Sequence, residues 1–354
     1  MNDEKIKVLI VDDSDLFRAY INDLLKKDPD IEVVGFAKNG LEGLEKAKLL
    51  KPHVILLDIE MPVMNGIECL KRLGKQGNYG IIIVSGFKRE VIKATIEGLE
   101  LGAFDFIYKT ANFLSIRANE IIAKIKMAYM TIKKTQLFGR TGTKKQHEGD
   151  VSIATEKNGL KYIIALGVST GGPKALATIL PEFPEDLPAS IIIVQHMPPK
   201  FTSSLASRLN EISRMEVKEA EQGDQLKAGY VYIAPGDYHL TFGNNEKGLY
   251  INLDQSPPVR GFRPNVDVMM TSLANIEGFN NIIGVIMTGM GNDGSKGLLE
   301  LKKKKAETFI IAQDEDTSTV FGMPKAAIEL GIVDKTLPLN EIPACIMNFM
   351  GVHQ

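Results

Sequence analysis

Short β-branched runs alternate with amphipathic stretches along the first third of the chain. The runs are Val8–Val11, Glu32–Ala37, Val54–Leu57, Ile81–Val84 and Phe104–Ile107. Brief apolar runs bounded by turn residues read as buried strands, and the intervening three-to-four spacing reads as helices packed on them. Five such β/α repeats between Ile6 and about Met130 predict a parallel, doubly wound sheet. The pattern lapses between Thr131 and Leu160, where Lys-Lys-Thr, Gly-Arg-Thr-Gly-Thr-Lys-Lys and Lys-Asn-Gly are too polar to build a core. That stretch predicts a linker whose first part can be helical. Strand-like runs resume at Tyr162–Leu166, Ile191–Val194, Val231–Ala234, Leu249–Leu253, Ile282–Met287 and Thr308–Ala312. Helical patterns begin near Pro173, Lys200, Val266, Gly294 and Pro324. The expected organisation is therefore a (βα)5 domain over 1–130, a linker over 131–158 and a second parallel α/β domain over 159–354.

Composition removes alternatives. With 354 residues, 44% of them apolar, the chain can bury two cores, and disorder is excluded. A net charge of −2 offers no field for nucleic acid or an anionic membrane, and no basic recognition helix follows the linker. The polar start and the lack of any long apolar run predict a cytoplasmic protein without membrane insertion. Cys69 and Cys345 stand far apart, without the spacing of a zinc site or a disulfide framework.

Two groups of residues carry candidate chemistry. Asp12 and Asp13 follow the first strand, Asp58 the third, Ser85 the fourth and Lys109 the fifth. In a parallel sheet these positions share the carboxyl edge, where ligands of open α/β sheets bind. Three carboxylates so close repel unless a cation sits among them, and an all-oxygen set suits Mg²⁺. Together with Lys109 such a cation can neutralise a phosphoryl group arriving on a carboxylate.

In the second domain, Gly167-Val-Ser169-Thr-Gly171 reads as a strand, a tight turn and a helix start. This pattern exposes a serine hydroxyl, and the Thr170 N–H near the helix start is suited to an oxyanion. His196 follows the next strand, and Asp293 lies in the loop after Ile282–Met287. Serine, histidine and aspartate on one sheet edge are the set that acyl transfer requires. Their chain order differs from that of α/β-hydrolases, which argues against that fold. His239 competes with His196 as base, and its loop, Ala234–His239, is expected either to line the cleft or to stabilise a turn; His53, His147 and His353 are placed too poorly.

The run Val8-Leu-Ile-Val-Asp-Asp-Ser and Leu57-Asp58-Ile-Glu-Met-Pro-Val-Met-Asn-Gly66 resemble a response-regulator receiver domain. The resemblance implies Asp58 as phospho-acceptor, with Asp12, Asp13, Asp58 and the backbone carbonyl of Glu60 holding Mg²⁺. It further implies Ser85 as switch hydroxyl, Phe106 as switch aromatic and Lys109 as phosphate-binding lysine. Thr110 stands where the family keeps a proline after that lysine.

The second domain is similar to the catalytic domain of the chemotaxis protein-glutamate methylesterase (CheB) family. The likeness is carried by Gly-Val-Ser169-Thr-Gly-Gly, Gln195-His196-Met-Pro, Ile233-Ala-Pro-Gly-Asp, Arg263-Pro-Asn-Val-Asp267, Thr288-Gly-Met-Gly-Asn-Asp293-Gly, Gln313-Asp-Glu and Phe321-Gly-Met-Pro-Lys325. It implies Ser169 as nucleophile, His196 as base, Asp293 as orienting acid, and Met290 beside Thr170 as oxyanion donor. The expected reactions are hydrolysis of glutamate γ-methyl esters on chemoreceptors, releasing methanol, and deamidation of receptor glutamines. No cofactor is expected for hydrolysis; Mg²⁺ is expected for receiver phosphorylation. The expected partners are methyl-accepting chemoreceptors and a chemotaxis histidine kinase, with Arg260 and Arg263 either guiding acidic receptor surface or simply solvated, as surface arginines more often are. A hydrolase-like domain reduced to a docking module is the competing reading, against which the complete trio argues.

Overall fold

The computed structural model describes residues 4–109, 118–138 and 159–352, and the chain divides into two compact units, 1–144 and 145–354.

In the first unit, β1 (Ile6–Val11), α1 (Asp15–Leu25), β2 (Ile31–Ala37), α2 (Gly40–Leu50), β3 (Val54–Asp58), α3 (Gly66–Gln76), β4 (Gly80–Ser85), α4 (Arg89–Glu100), β5 (Asp105–Tyr108) and α5 (Ala118–Phe138) alternate as expected. The sheet runs β2-β1-β3-β4-β5, all parallel. Helices cover both faces, so β3 and β4 are buried at every position, which explains their unbroken apolar runs. The side chains of Ser14, Asn39 and Asn65 cap α1, α2 and α3 by accepting the backbone N–H groups three residues on, those of Phe17, Glu42 and Glu68. Helix α5 continues through 131–138, the part of the expected linker that could be helical; residues 139–158 and Thr110 lie outside the described residues.

The second unit holds β6 (Tyr162–Val168), α6 (Gly172–Ile179), β7 (Ala189–Gln195), α7 (Phe201–Ile212), β8 (Glu216–Glu219), β9 (Tyr230–Ile233), β10 (His239–Asn245), β11 (Gly248–Asp254), α8 (Val266–Ala274), β12 (Ile282–Ile286), α9 (Ser295–Lys304), β13 (Phe309–Gln313), α10 (Met323–Glu329), β14 (Lys335–Leu337) and α11 (Ile342–Phe349). Seven strands form a parallel sheet ordered β14-β13-β12-β6-β7-β9-β8. The chain builds outward from β6 through β7, then crosses to β12 on the other side, so the order reverses beside β6. Such a reversal opens a crevice at the carboxyl ends of the strands.

Several elements are absent from the sequence reading. Strands β8 and β14 are short, mixed in polarity and lie at the two sheet edges, where a continuous apolar run is not needed. Strand β10 pairs antiparallel with β11 in a separate two-stranded sheet, and Leu240, Phe242, Leu249 and Ile251 join the core cluster that holds Met269 and Leu273 of α8. Helix α11 closes the chain.

Candidate active site

Ser169, His196 and Asp293 follow β6, β7 and β12, three neighbours at the centre of the sheet. The register pairs Gly167 with both Val194 and Ile286, so the three loops leave the sheet at one level. Ser169 is held by its own backbone: its N–H donates to the Thr288 carbonyl at 3.0 Å, and its carbonyl accepts the Gly172 N–H at 2.8 Å. The turn needs glycine at 171, where φ is +80° and a Cβ would lie 2.4 Å from Thr319 Oγ1.

His196 Nδ1 lies 3.1 Å from Ser169 Oγ, and Nε2 lies 2.7 Å from Asp293 Oδ2. Proton transfer from serine requires Nδ1 to be the acceptor, so Nε2 carries the hydrogen and donates it to Asp293. The ring is thus turned end for end relative to the arrangement in which Nε2 faces the serine and Nδ1 the acid. Asp293 Oδ2 also accepts the Val266 N–H at 2.7 Å, and Oδ1 accepts those of Asp267 and Gly294 at 3.0 Å each. Burial opposes ionisation of Asp293, but the hydrogen bond and charge of His196 and these backbone donors outweigh it and hold its pKa below the ordinary carboxylate value.

Residues whose roles the motifs did not reveal complete the site, although Gln195 and Asp267 stand within two of those motifs. Gln195, only 2% exposed, donates from Nε2 to the Ser169 carbonyl at 3.1 Å and to the His196 carbonyl at 3.4 Å, tying together the backbones of the two residues. A buried polar residue ending an apolar strand was the available signal. Asp267 Oδ1 accepts the N–H groups of Gly294 and Gly297 at 3.0 and 2.7 Å, fixing the loop that carries Asp293. Phe262 stacks on the His196 ring with centroids 4.1 Å apart and planes 11° from parallel. Among the described residues, no acceptor is hydrogen-bonded to the Met290 N–H.

His239 is brought near neither Ser169 nor Asp293 by any hydrogen bond; it is fully buried, with Nε2 3.3 Å from the Pro257 carbonyl. Its ring supports the loop from 255 to 265 instead of lining a cleft. Arg263 is engaged by Asp237 and by the carbonyls of Gln255 and Ser256, while Arg260 donates to Asn292 Oδ1 at 2.8 Å. Both arginines therefore hold loops together.

In the first unit, carboxylate oxygens of Asp12, Asp13 and Asp58 lie within 4.8 Å of one another. Lys109 Nζ sits 2.7 Å from Asp12 Oδ2 and 2.8 Å from Asp58 Oδ2. Three carboxylates against one ammonium leave an excess of negative charge, and Asp12 Oδ2 is buried without an aligned hydrogen-bond donor. That oxygen-only set fits a hard divalent cation. Burial raises the pKa of Asp58 to about 6; Asp12 adds to the rise and Lys109 opposes it. The Glu60 side chain is paired with Lys88 at 2.8 Å, outside the cluster. Ser85 Oγ is buried against Thr95 Oγ1 at 2.6 Å, and Lys124 Nζ lies 5.5 Å from the centre of the buried Phe106 ring.

Residues 164–346 match the family described as CheB methylesterase, and residues 8–123 match the response regulator receiver domain. A protein-glutamate methylesterase/protein-glutamine glutaminase of Pyrococcus horikoshii is 43% identical, covering 98% of this chain and 94% of its own. One of the same description from Thermotoga maritima is 44% identical over 97% of this chain and 98% of its own. The solved catalytic domain of a Thermotoga maritima CheB methylesterase is 45% identical, with a TM-score of 0.51, covering 53% of this chain and 97% of that one.

Proposed function

The chain belongs to the CheB methylesterase family, in the form that joins a response-regulator receiver to the catalytic domain, and from this premise we propose that Ser169, His196 and Asp293 are its nucleophile, base and orienting acid. Its activity is hydrolysis of glutamate γ-methyl esters on proteins, with glutaminase activity on protein glutamine, under control of receiver phosphorylation and in the service of chemotaxis adaptation. Methyl-accepting chemoreceptors are the proposed substrate and a chemotaxis histidine kinase the phosphodonor.

The observation that carries the reading is the unbroken chain from Ser169 Oγ through His196 to Asp293, at 3.1 and 2.7 Å. Ser169 Oγ attacks the ester carbonyl carbon as its proton passes to His196 Nδ1. The imidazolium so formed keeps its Nε2–H on ionised Asp293. Negative charge on the carbonyl oxygen is met by the N–H groups of Thr170 and Met290; each such donor contributes about 3 to 4 kcal/mol to the transition state. His196 then returns the proton to the departing oxygen, methanol leaves, and a glutamyl ester remains on Ser169. Water deprotonated by His196 attacks this ester and frees the carboxylate. A glutamine follows the same course with ammonia as the leaving group.

In the receiver, Asp58 accepts the phosphoryl group, Asp12, Asp13, Asp58 and the Glu60 carbonyl would hold Mg²⁺, and Lys109 holds a phosphoryl oxygen. When bound, Mg²⁺ supplies charge neutralisation for the incoming phosphoryl group. Ser85 and Phe106 are the groups that respond to it.

Methanol release from methylated receptor membranes tests the catalytic assignment. Ser169→Ala is expected to lower it by several orders of magnitude; near-normal release by that variant would overturn the nucleophile.

A further inference from the structure

The loop from 255 to 265 does more than border the triad. Val259-Arg260-Gly261-Phe262 is a two-residue hairpin turn: the Val259 N–H donates to the Phe262 carbonyl at 3.1 Å and the Phe262 N–H to the Val259 carbonyl at 3.0 Å. Both central residues have positive φ, +51° at Arg260 and +87° at Gly261, as in a mirror-image type I′ turn. A non-glycine residue adopts such a φ only where its surroundings demand it. Here the demand is visible. Arg260 is pinned to Asn292 beside Asp293, Arg263 ties the base of the loop to Asp237 and to the Gln255 and Ser256 carbonyls, and His239 meets the Pro257 carbonyl. The turn so anchored places the Phe262 ring flat on His196, at 4.1 Å and 11°.

We propose that Phe262 is a positioning residue, acting through His196, that orients the imidazole and stabilises its positive charge during each proton transfer. The proposal rests on His196 being the base. The His196 side chain is only 6% exposed, so the imidazolium formed in the reaction has almost no water to solvate it. Asp293 compensates at the Nε2 edge. The face of an aromatic ring carries negative electrostatic potential and attracts a cation placed over it, most strongly where water is excluded. Phe262 supplies that face. Phe262 as a whole residue remains 39% exposed, more than core packing alone calls for. Contact with the ring face also restricts rotation about the Cβ–Cγ bond of His196, keeping Nδ1 aimed at Ser169.

The test uses the full-length protein, phosphorylated by a small phosphodonor, on methylated receptor membranes. Phe262→Leu keeps bulk but removes the π face, and should lower kcat about 3- to 30-fold with KM unchanged; Phe262→Trp and Phe262→Tyr should stay near wild type. Phenylalanines carrying one, two and three ring fluorines at position 262 withdraw electron density with little change of shape, and kcat should fall step by step through that series. In the His196→Ala background, Phe262→Leu should have no further effect on the residual rate. Thermal unfolding of each variant reports whether the fold is kept, and the fluorinated series remains decisive if Leu disturbs packing. A flat fluorine series, an unchanged kcat for Leu, or a change in KM alone would overturn the proposal while His196→Ala remained impaired. Wild-type kcat in His196→Ala would instead remove the base assignment and the proposal with it.

Discussion

Asp293 shows how one residue joins chemistry to stability. It is buried, yet three backbone N–H groups and His196 hold it ionised, with a pKa below the ordinary carboxylate value. The sign of the resulting pH dependence follows. A depressed folded pKa contributes stability that is fully present above the unfolded value near ~3.9 and is lost as pH falls through the lower folded value. Wild type should therefore exceed Asp293→Asn in denaturant midpoint at pH 7, and the gap should shrink as pH drops below about 4. A gap that widened on acidification would contradict the ionised assignment. His239 presents the opposite case: a fully buried histidine bonded to the Pro257 carbonyl, outside the triad. Its role is to support the loop that carries Phe262.

At the scale of elements, close backbone approaches decide which glycines are replaceable. Helix α3 begins at Gly66, where a Cβ would lie 2.0 Å from the Asp58 carbonyl oxygen and 2.9 Å from Ile59 Cα. Neither neighbour can move without displacing the strand end that carries Asp58. Gly74 lies within the same helix with nothing within 4 Å of its would-be Cβ. Gly66→Ala should destabilise the receiver by roughly 2 kcal/mol or more and impair phosphorylation. Gly74→Ala should be neutral or stabilise it by up to about 1 kcal/mol, by lowering the entropy of the unfolded chain. Chemical unfolding of the two variants, followed by far-ultraviolet circular dichroism, checks both; equal effects would mean that the close approach is not what sets the residue type at 66.

For the whole molecule, control by phosphorylation requires that the phosphoryl group on Asp58 change the free-energy difference between less and more active states. A change of ~3 kcal/mol shifts their ratio about a hundredfold. If the receiver restrains the catalytic domain, the fragment starting near Glu156 should release methanol from receptor membranes faster than the unphosphorylated full chain. A relative's catalytic domain has been solved alone, which recommends this fragment. Acetyl phosphate with Mg²⁺ should accelerate the full chain and leave both the fragment and Asp58→Asn unresponsive. Acceleration of Asp58→Asn would displace the acceptor assignment, and a fragment no faster than the unphosphorylated chain would favour direct activation over restraint.

The apolar runs determined all five strands of the first sheet and the inner strands β13, β12, β6, β7 and β9 of the second, and with them the sheet edge at which Asp12, Asp58, Ser169, His196 and Asp293 emerge, although the run Leu249–Leu253 forms the antiparallel β11 outside that sheet. That inference is local, because in a parallel sheet the residue after a buried run leaves at the carboxyl end whatever its neighbours are. Tertiary structure alone decided that β12 lies beside β6, that His196 presents Nδ1 and not Nε2 to Ser169, that Gln195 ties the backbones of nucleophile and base together, and that Phe262 covers the imidazole. Those contacts join residues 27 and 97 positions apart in the triad itself. A hydropathy period records which face of an element is buried, but not which element covers that face or which rotamer the contact selects. The edge strands β8 and β14 escaped the pattern for the same reason: half-paired at the margins of the sheet, they need no continuous apolar run, and only their neighbours make them strands.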